Sequence, residues 1–509
     1  MTRTLATLAP RHWRIAAIAL LTLLSVIALL QSSVSIDGVR YFWLDDDQMI
    51  SMRYARNLAS GHGLVWNAGE RVEGYTNFLW TLVMAAVHTL PIADAHTAVA
   101  VRAVNWALAG AVLVLSERLL RLLVPSAALG LGLPTLLIGL ALGMDLLYWS
   151  VNGFETTLLT VAFLFVVTRI LDESARGRSR PLTYLLIGAL PLIRSDAYHV
   201  SAAAALLAIA TAPDRRQAAS LLSLALILPV THLGWRFWYY ADWLPNTYYL
   251  KVAEVSGLHV RGIAYARNFA SHYAVALVFA TLGTIAARDA RRWLLLASVG
   301  IAGGHILLVG GDIFPHFRFF AHAVPVLLVL AVAAMLDAAP RMSPAHVLLA
   351  ASLFLSVFLE NGIYSHRQLL ALRSFNGLPE QGVVTGVLIR RFTRPEARIA
   401  VITAGNAPYF SRRYAIDFLG KSDRHVARRA ADDSGHVGHN KHDVDYSLSL
   451  QPDLIVTLNS AEMILRPDFC SPEDLNGFVC TLARHPAFVR NYLPYPVPIP
   501  YLLNGTTAY

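Results

Sequence analysis

The sequence predicts an all-α bundle of membrane-spanning helices followed by a small α/β domain outside the membrane. Three observations carry this. The chain has 509 residues, 56% of them hydrophobic and 15% charged, with a mean hydropathy of +0.49, whereas soluble domains carry about 25% charged residues. From residue 12 to residue 361 apolar runs of about 17 to 25 residues follow one another, the length needed to cross a hydrocarbon core of roughly 30 Å. Residues 362–509 then change character, with more charge, more proline and short β-branched runs. In lipid only helices and closed barrels satisfy their own backbone, and runs of this length select helices.

The first run, from about Ile15 to Leu30, follows Arg3, Arg11 and Arg14 and lacks a small-residue cleavage site. It reads as a retained helix with a cytoplasmic N-terminus. Arginine-rich connectors at Arg176 to Arg180, Arg215-Arg216, Arg288 with Arg291-Arg292, and Arg341 read as cytoplasmic by the positive-inside rule. Segments 32–75, 150–154, 236–270 and 310–318 then fall on the outer face, with everything after the last run, 344–361. Between Thr76 and Ser126 two runs conflict with this alternation, so one is interfacial or one crossing is hidden. The expected total is 11 to 13 spans. The net charge of +9 is spread over these connectors rather than one basic face, so it does not indicate nucleic acid.

Two domains are expected: residues 1–361 in the membrane, carrying the outer loop 32–75, and residues 362–509 outside it. In the second, Arg398-Ile-Ala-Val-Ile-Thr403 and Asp453-Leu-Ile-Val-Thr457 alternate with helical or loop stretches, as in a small α/β domain. Cys470 and Cys480 are the only cysteines. In an oxidising exterior they would form a disulfide; the alternative is two free thiols.

The densest polar block is Asp45-Asp46-Asp47, followed by Arg53 and Arg56. Adjacent carboxylates repel, which raises the pKa of one unless a cation neutralises the group. Such a carboxylate suits deprotonation of a hydroxyl, and the arginines suit a phosphate. The competing reading is a solvated N-cap, with Asp47 opening a helix from Gln48. Glu155, in Asn152-Gly-Phe-Glu-Thr156, sits at a helix start, where the helix dipole alone would favour it. Arg236, Tyr239, Tyr240 and Lys251 suit either a polyprenyl phosphate or an aromatic belt with snorkelling cations. Arg318, where a span resumes, requires an anion: a phosphate or Asp312. The histidines His436, His439 and His442 match no usual zinc spacing, so no metal site is assigned. Neither a P-loop nor a dinucleotide fingerprint occurs, so use of a nucleotide sugar is not indicated.

Asp46-Asp47 with Ile50-Ser51 and Arg53-Tyr54, then Gly61-His62-Gly63, then Glu70-Arg-Val-Glu73-Gly-Tyr75-Thr-Asn77 resemble the first outer loop of GT-C glycosyltransferases. The nearest resemblance is to the bacterial arabinofuranosyltransferase B type. Asn152 to Thr156 is similar to a Gly-Leu-Glu-Thr element of that family. Ile193-Arg194-Ser195-Asp196 is similar to an Arg-Pro-Asp element, with Ser195 in place of proline. Trp235-Arg236 to Tyr239-Tyr240, Leu244-Pro-Asn246-Thr247 and Lys251 resemble a further element, with Ala241 where glycine is usual. Gly310-Gly-Asp312 with Pro315 and Arg318, Tyr414 to His425, and Gly435 to Lys441 complete the set.

The resemblance implies a polyprenyl-phosphate-sugar-dependent, inverting transferase in the bacterial cytoplasmic membrane, with its site and C-terminal domain on the outer side. One of Asp46 and Asp47 would be the catalytic base, and Asp45 falls outside the family pair. Arg236, Lys251 and Arg318 would hold the donor phosphate. Arg53, His62, Glu73, Tyr75, Asn77, Glu155, Asp196, Tyr239, Tyr240, Asn246 and Asp312 would contact substrate. A divalent cation, Mg or Mn, is compatible with the acids but not required. The acceptor would be a glycan, lipid or protein of the cell envelope, and the sugar leans toward arabinofuranose. The alternatives are a transporter or flippase of lipid-linked saccharides, which internal repeats would favour and none is found, and GT-C enzymes of the protein O-mannosyl or lipid A aminoarabinosyl type.

Overall fold

The computed structural model describes residues 10–125, 129, 132–253, 255–312, 314–343, 345–346, 349, 351–352, 377–431, 437–456 and 477–493. The chain forms two compact units. The first takes residues 1–28, 102–234 and 257–373; the second takes residues 29–101, 235–256 and 374–509.

The first unit is helical, as its apolar runs predict. Among the described residues of the chain, five helices are long and apolar enough to cross a membrane: Arg11–Gln31, Asp94–Leu123, Arg215–Tyr240, Ala290–Val309 and Val324–Arg341. Two bent pairs bring this to as many as seven: Gly132–Leu142 with Met144–Val151, bent by 45°, and Leu258–His272 with Ala274–Ala287, bent by 78°. Phe78–His88, Pro181–Ile193 and Tyr198–Thr211 are shorter apolar helices. The protein is thus a multi-pass membrane protein. The expectation of 11 to 13 spans allowed one run between Thr76 and Ser126 to be interfacial. Phe78–His88, with 11 residues and a length of about 16 Å, is too short for a crossing, and the run 344–361 lies largely outside the described residues.

Packing in this unit relies on close backbone approach, because lipid supplies no hydrophobic drive between helices. A Cβ on Gly283 would lie 2.1 Å from the Ala334 Cβ, so Ala274–Ala287 and Val324–Ala338 meet there only through small residues. Charges near the arginine-rich connectors are paired: Glu117 takes Arg14 at 3.0 Å and Arg121 at 2.7 Å, and Glu173 takes Arg169 at 2.8 Å.

The second unit is built on a parallel three-stranded sheet of β3 (Arg398–Val401), β4 (Tyr414–Asp417) and β5 (Leu454–Val456), in the order β4-β3-β5. β3 and β5 are the strands that the β-branched runs predict. Side chains alternate across a strand, and both faces are covered. Ile399, Val401 and Ala415 pack with Ile50, Tyr54, Trp66, Tyr75 and Tyr240. On the other face Ala400 and Ile416 pack with Phe418, Val444, Phe478 and Leu482. The loop that follows the first helix therefore packs on one face of a sheet some 350 residues later. That loop opens with a hairpin of β1 (Ser33–Ile36) and β2 (Val39–Phe42) and continues as the helix Asp46–Ala59. In the segment 236–270, expected as an outer loop, Arg236, Tyr239 and Tyr240 instead lie on the last turns of the helix Arg215–Tyr240, which their side chains extend before Ala241 leaves it at φ +54°. Cys480 is disulfide-bonded; Cys470 lies outside the described residues.

Gly283→Val should lower the stability of the solubilised protein by about 1 to 3 kcal/mol, the usual cost of overpacking. Thermal unfolding in detergent checks this, and an unchanged midpoint would show that the helix contact yields.

Candidate active site

The three adjacent aspartates are not equivalent. Asp45 is the N-cap of the helix Asp46–Ala59, and its side chain accepts a hydrogen bond from the Asp47 N–H at 3.2 Å. The cap that the competing sequence reading gives to Asp47 thus falls to Asp45, two residues earlier, while Asp46 and Asp47 occupy the first turn, where the helix dipole favours negative charge.

Asp46 reaches the carboxyl end of β3. Its Oδ2 accepts from the Gly405 N–H at 3.1 Å and its Oδ1 from the Asn406 N–H at 2.8 Å and Asn406 Nδ2 at 3.3 Å. Position 405 requires glycine, since a Cβ there would lie 1.9 Å from the Asp46 carbonyl oxygen. In the order β4-β3-β5 the chain leaves β3 to one side and returns on the other, so this is the topological switch point, where open parallel sheets place their ligands. Burial raises the Asp46 pKa and the Asp47 charge adds to it, against the opposing effects of Lys421 and the two N–H groups.

Asp47 Oδ1 accepts from Lys421 Nζ at 3.2 Å, and Lys421 is buried. Burial opposes the Lys421 charge, but Asp47, Asp46 and Asp417 outweigh it and raise its pKa. Lys421 sits in the turn after β4. That turn wraps the Asp417 carboxylate, which accepts from the N–H groups of Leu419 at 3.1 Å, Gly420 at 3.1 Å and Ser422 at 2.7 Å. Burial nonetheless pushes Asp417 up to about 6. Asn246 Nδ2 clamps the same turn from the carbonyls of Gly420 at 2.8 Å, Lys421 at 3.1 Å and Asp423 at 3.1 Å. The result is three carboxylates around one buried ammonium.

The other residues singled out in this unit mainly brace it. Arg236 grips Glu73 through two bonds, Nε to Oε2 at 2.6 Å and Nη2 to Oε1 at 3.1 Å. This occupies its forked face and accounts for an Arg and a Glu both expected to face substrate. Tyr240 donates to the Leu64 carbonyl at 2.7 Å and its hydroxyl lies 3.1 Å from that of Tyr75. Tyr239 Oη accepts from the Leu64 N–H at 3.0 Å. Asn77 Oδ1 accepts from Ser51 at 3.0 Å and Thr81 at 2.9 Å. Arg53 is buried among carbonyls, and His62 is exposed beside a cavity. Lys251 ends the helix Asn246–Lys251 with its chain against Gly438. His442 stacks its ring edge on Phe478 at 5.3 Å, and His436 lies outside the described residues.

Glu155, Asp196, Asp312 and Arg318 belong to the first unit. Glu155 is buried at the start of the helix Thr156–Ala175, 3.8 Å from Arg194. Arg194 holds Asp196 through Nε and Nη2, both at 2.8 Å. Arg318 Nε lies 2.5 Å from Asp312 Oδ2, with the guanidinium 4.9 Å from the Phe314 ring centroid. Sequence reasoning missed His199, whose ring stacks on His305 at 4.0 Å beside Asp196, and His322, 5.3 Å from His199. It also quoted Lys421 without giving it a role; a lysine four residues beyond an aspartate that ends a strand was the available signal.

The chain has the GT-C fold of membrane glycosyltransferases. The structure is similar to ArnT of Cupriavidus metallidurans bound to undecaprenyl phosphate, with a TM-score of 0.56 and 11% identity over 90% of this chain and 92% of that one. It is also similar to the Archaeoglobus fulgidus oligosaccharyltransferase AglB in complex with an inhibitory peptide and a dolichol-phosphate, with a TM-score of 0.50 and 12% identity over 80% of this chain and 64% of that one. In sequence, the chain is 27% identical over 247 residues to a terminal β-(1→2)-arabinofuranosyltransferase of Mycobacterium tuberculosis, covering 46% of this chain and 38% of that protein. It is 28% identical over 260 residues to the enzyme of that name from Corynebacterium glutamicum, covering 47% and 37%. The chain thus spans less than two fifths of the length of these curated relatives. Residues 373–493 match a family described as a domain of unknown function, DUF8728.

Asp417 gives the site a pH dependence of defined sign. Its folded pKa of about 6 lies above the ordinary 3.8, so the native state binds the extra proton, and stability falls as pH rises from about 4 to about 6 and is level above that. Hydrogen exchange of residues 418–422, corrected for intrinsic rates, should show protection falling across this window. Asp417→Asn should flatten the slope; protection that rises with pH would contradict it.

Proposed function

We propose that this chain is an inverting glycosyltransferase. It moves a sugar, arabinofuranose being the leading candidate, from a polyprenyl-phosphate donor to a glycan, lipid or protein acceptor of the cell envelope. Transfer takes place at the outer face of a bacterial cytoplasmic membrane. The GT-C fold supports the reaction class, the curated relatives support the sugar, and the undecaprenyl phosphate bound by ArnT supports the donor class.

The single observation that carries the reading is the acid pair of the second unit, held at the carboxyl end of a parallel sheet with Lys421 as its counter-ion. Both Asp46 oxygens are held by donors of residues 405 and 406, so Asp46 orients the turn, and Asp47 is the base. Asp47 takes the proton of the acceptor hydroxyl as that oxygen bonds to the anomeric carbon. The anomeric carbon–oxygen bond breaks on the opposite side, and the polyprenyl phosphate leaves with the electron pair. Phosphate is a good leaving group, so one base with electrostatic support suffices.

Asp47→Asn should cut transfer from a polyprenyl-phospho-sugar by about 100-fold or more, the usual worth of a general base, and should also lower thermal stability, because the buried Lys421 loses one of its three carboxylates. Asp46→Asn should lower both activity and stability. Full activity in both folded variants would refute the assignment.

A further inference from the structure

The second unit holds a cavity of about 470 Å³ whose lining includes Arg53, Arg56, Arg412 and Arg413 but not Asp46, Asp47 or Lys421. Its charges do not balance. Among the described residues that line it, Asp94 is the one carboxylate against these four arginines. The Oδ2 of Asp94 is shared between Arg412 at 2.5 Å, Arg56 at 3.7 Å and, from beyond the lining, Arg390 at 3.8 Å. Arg53 and Arg413 give their hydrogen bonds to neutral oxygens: Arg53 to Trp66 O, Pro408 O, Asn67 Oδ1 and Arg413 O, and Arg413 to the oxygens of Arg390, Ser411 and Thr393. A cleft with a cationic lining concentrates the field and draws in anions.

The remaining lining is mostly polar, with Asn57, Ser60, His62 and His88 beside the rings of Trp66 and Tyr414. That suits a hydroxyl-rich ligand, whose rings pack on aromatic faces, better than an acyl chain. The volume falls in the range of roughly 300 to 1,000 Å³ of small-ligand sites.

We propose that this cavity is a binding site for an anionic saccharide, a sugar bearing a carboxylate or a phosphate, held by Arg56 and Arg412. The anion follows from the charge balance alone. The saccharide rests on the transferase reading above, and the experiment separates the two because its readout is binding and not transfer.

The full chain in detergent is titrated calorimetrically with glucuronate, inorganic phosphate and, as a neutral control, glucose. Glucuronate should bind with an affinity that falls as salt rises, phosphate more weakly, and glucose not at all at the same concentrations. Arg412→Gln, at a half-exposed side chain whose loss does not threaten the core, should weaken glucuronate about tenfold. Asp94→Asn removes the competing carboxylate and should tighten it. The proposal is overturned if glucuronate does not bind, if glucose binds equally, or if neither variant changes the affinity. Equal binding of phosphate and glucuronate overturns the saccharide assignment.

Discussion

The arrangement of the second unit depends on one buried cation. Arg53 carries its charge into the core and spends its donors on the carbonyls of Trp66, Pro408 and Arg413 and the amide oxygen of Asn67, at 2.7 to 2.8 Å, with its guanidinium 4.6 Å from the Trp66 ring centroid. A buried cation without such partners costs several kcal/mol, so these four oxygens must stay in place. They belong to the loop after the first helix and to the segment between β3 and β4. Arg53 lies about two helical turns beyond Asp46 and Asp47, so the constraint that fixes its guanidinium also fixes the first turn of the acid-bearing helix.

From that constraint the acid pair acquires its setting. The first turn of Asp46–Ala59 is delivered to the point where the chain leaves β3, Gly405 admits it, and the turn after β4 brings Lys421 to the second acid. Asn246 and the Glu73–Arg236 pair hold this turn and the outer loop from a third stretch of chain. Residues 46–77, 236–246 and 405–423 thus form one structure, though nearly 360 residues separate the first from the last.

Local chemistry was legible in the sequence and non-local chemistry was not. Hydropathy located the helices, because lipid imposes run length, and β-branched runs located β3 and β5. The family pattern separated Asp46 and Asp47 from Asp45, and the capping geometry of Asp45 explains that separation. The partners of the pair were hidden, since no periodicity links Asp46 to Gly405 or Asp47 to Lys421. Arg236 illustrates the same point: beside aromatic residues it read equally as a phosphate ligand or a snorkelled cation, and the structure pairs it with Glu73. The helix Arg215–Tyr240 ran past its expected end because Trp235 to Tyr240 pack as readily on a helix as in an aromatic belt. Phe78–His88, at 11 residues, is shorter than the apolar run that contains it, because Thr89 to Pro91 end the helix.

Displacement of a polyprenyl phosphate by an acceptor hydroxyl under general-base control, as proposed above, is tested most directly by the stereochemistry of the product. The purified chain is incubated with polyprenyl-phosphate sugars labelled at the anomeric carbon, and the anomeric configuration of the product is read by nuclear magnetic resonance. Single displacement predicts transfer with inversion. Transfer with retention, or activity with a nucleotide sugar and none with any polyprenyl-phosphate sugar, would contradict it.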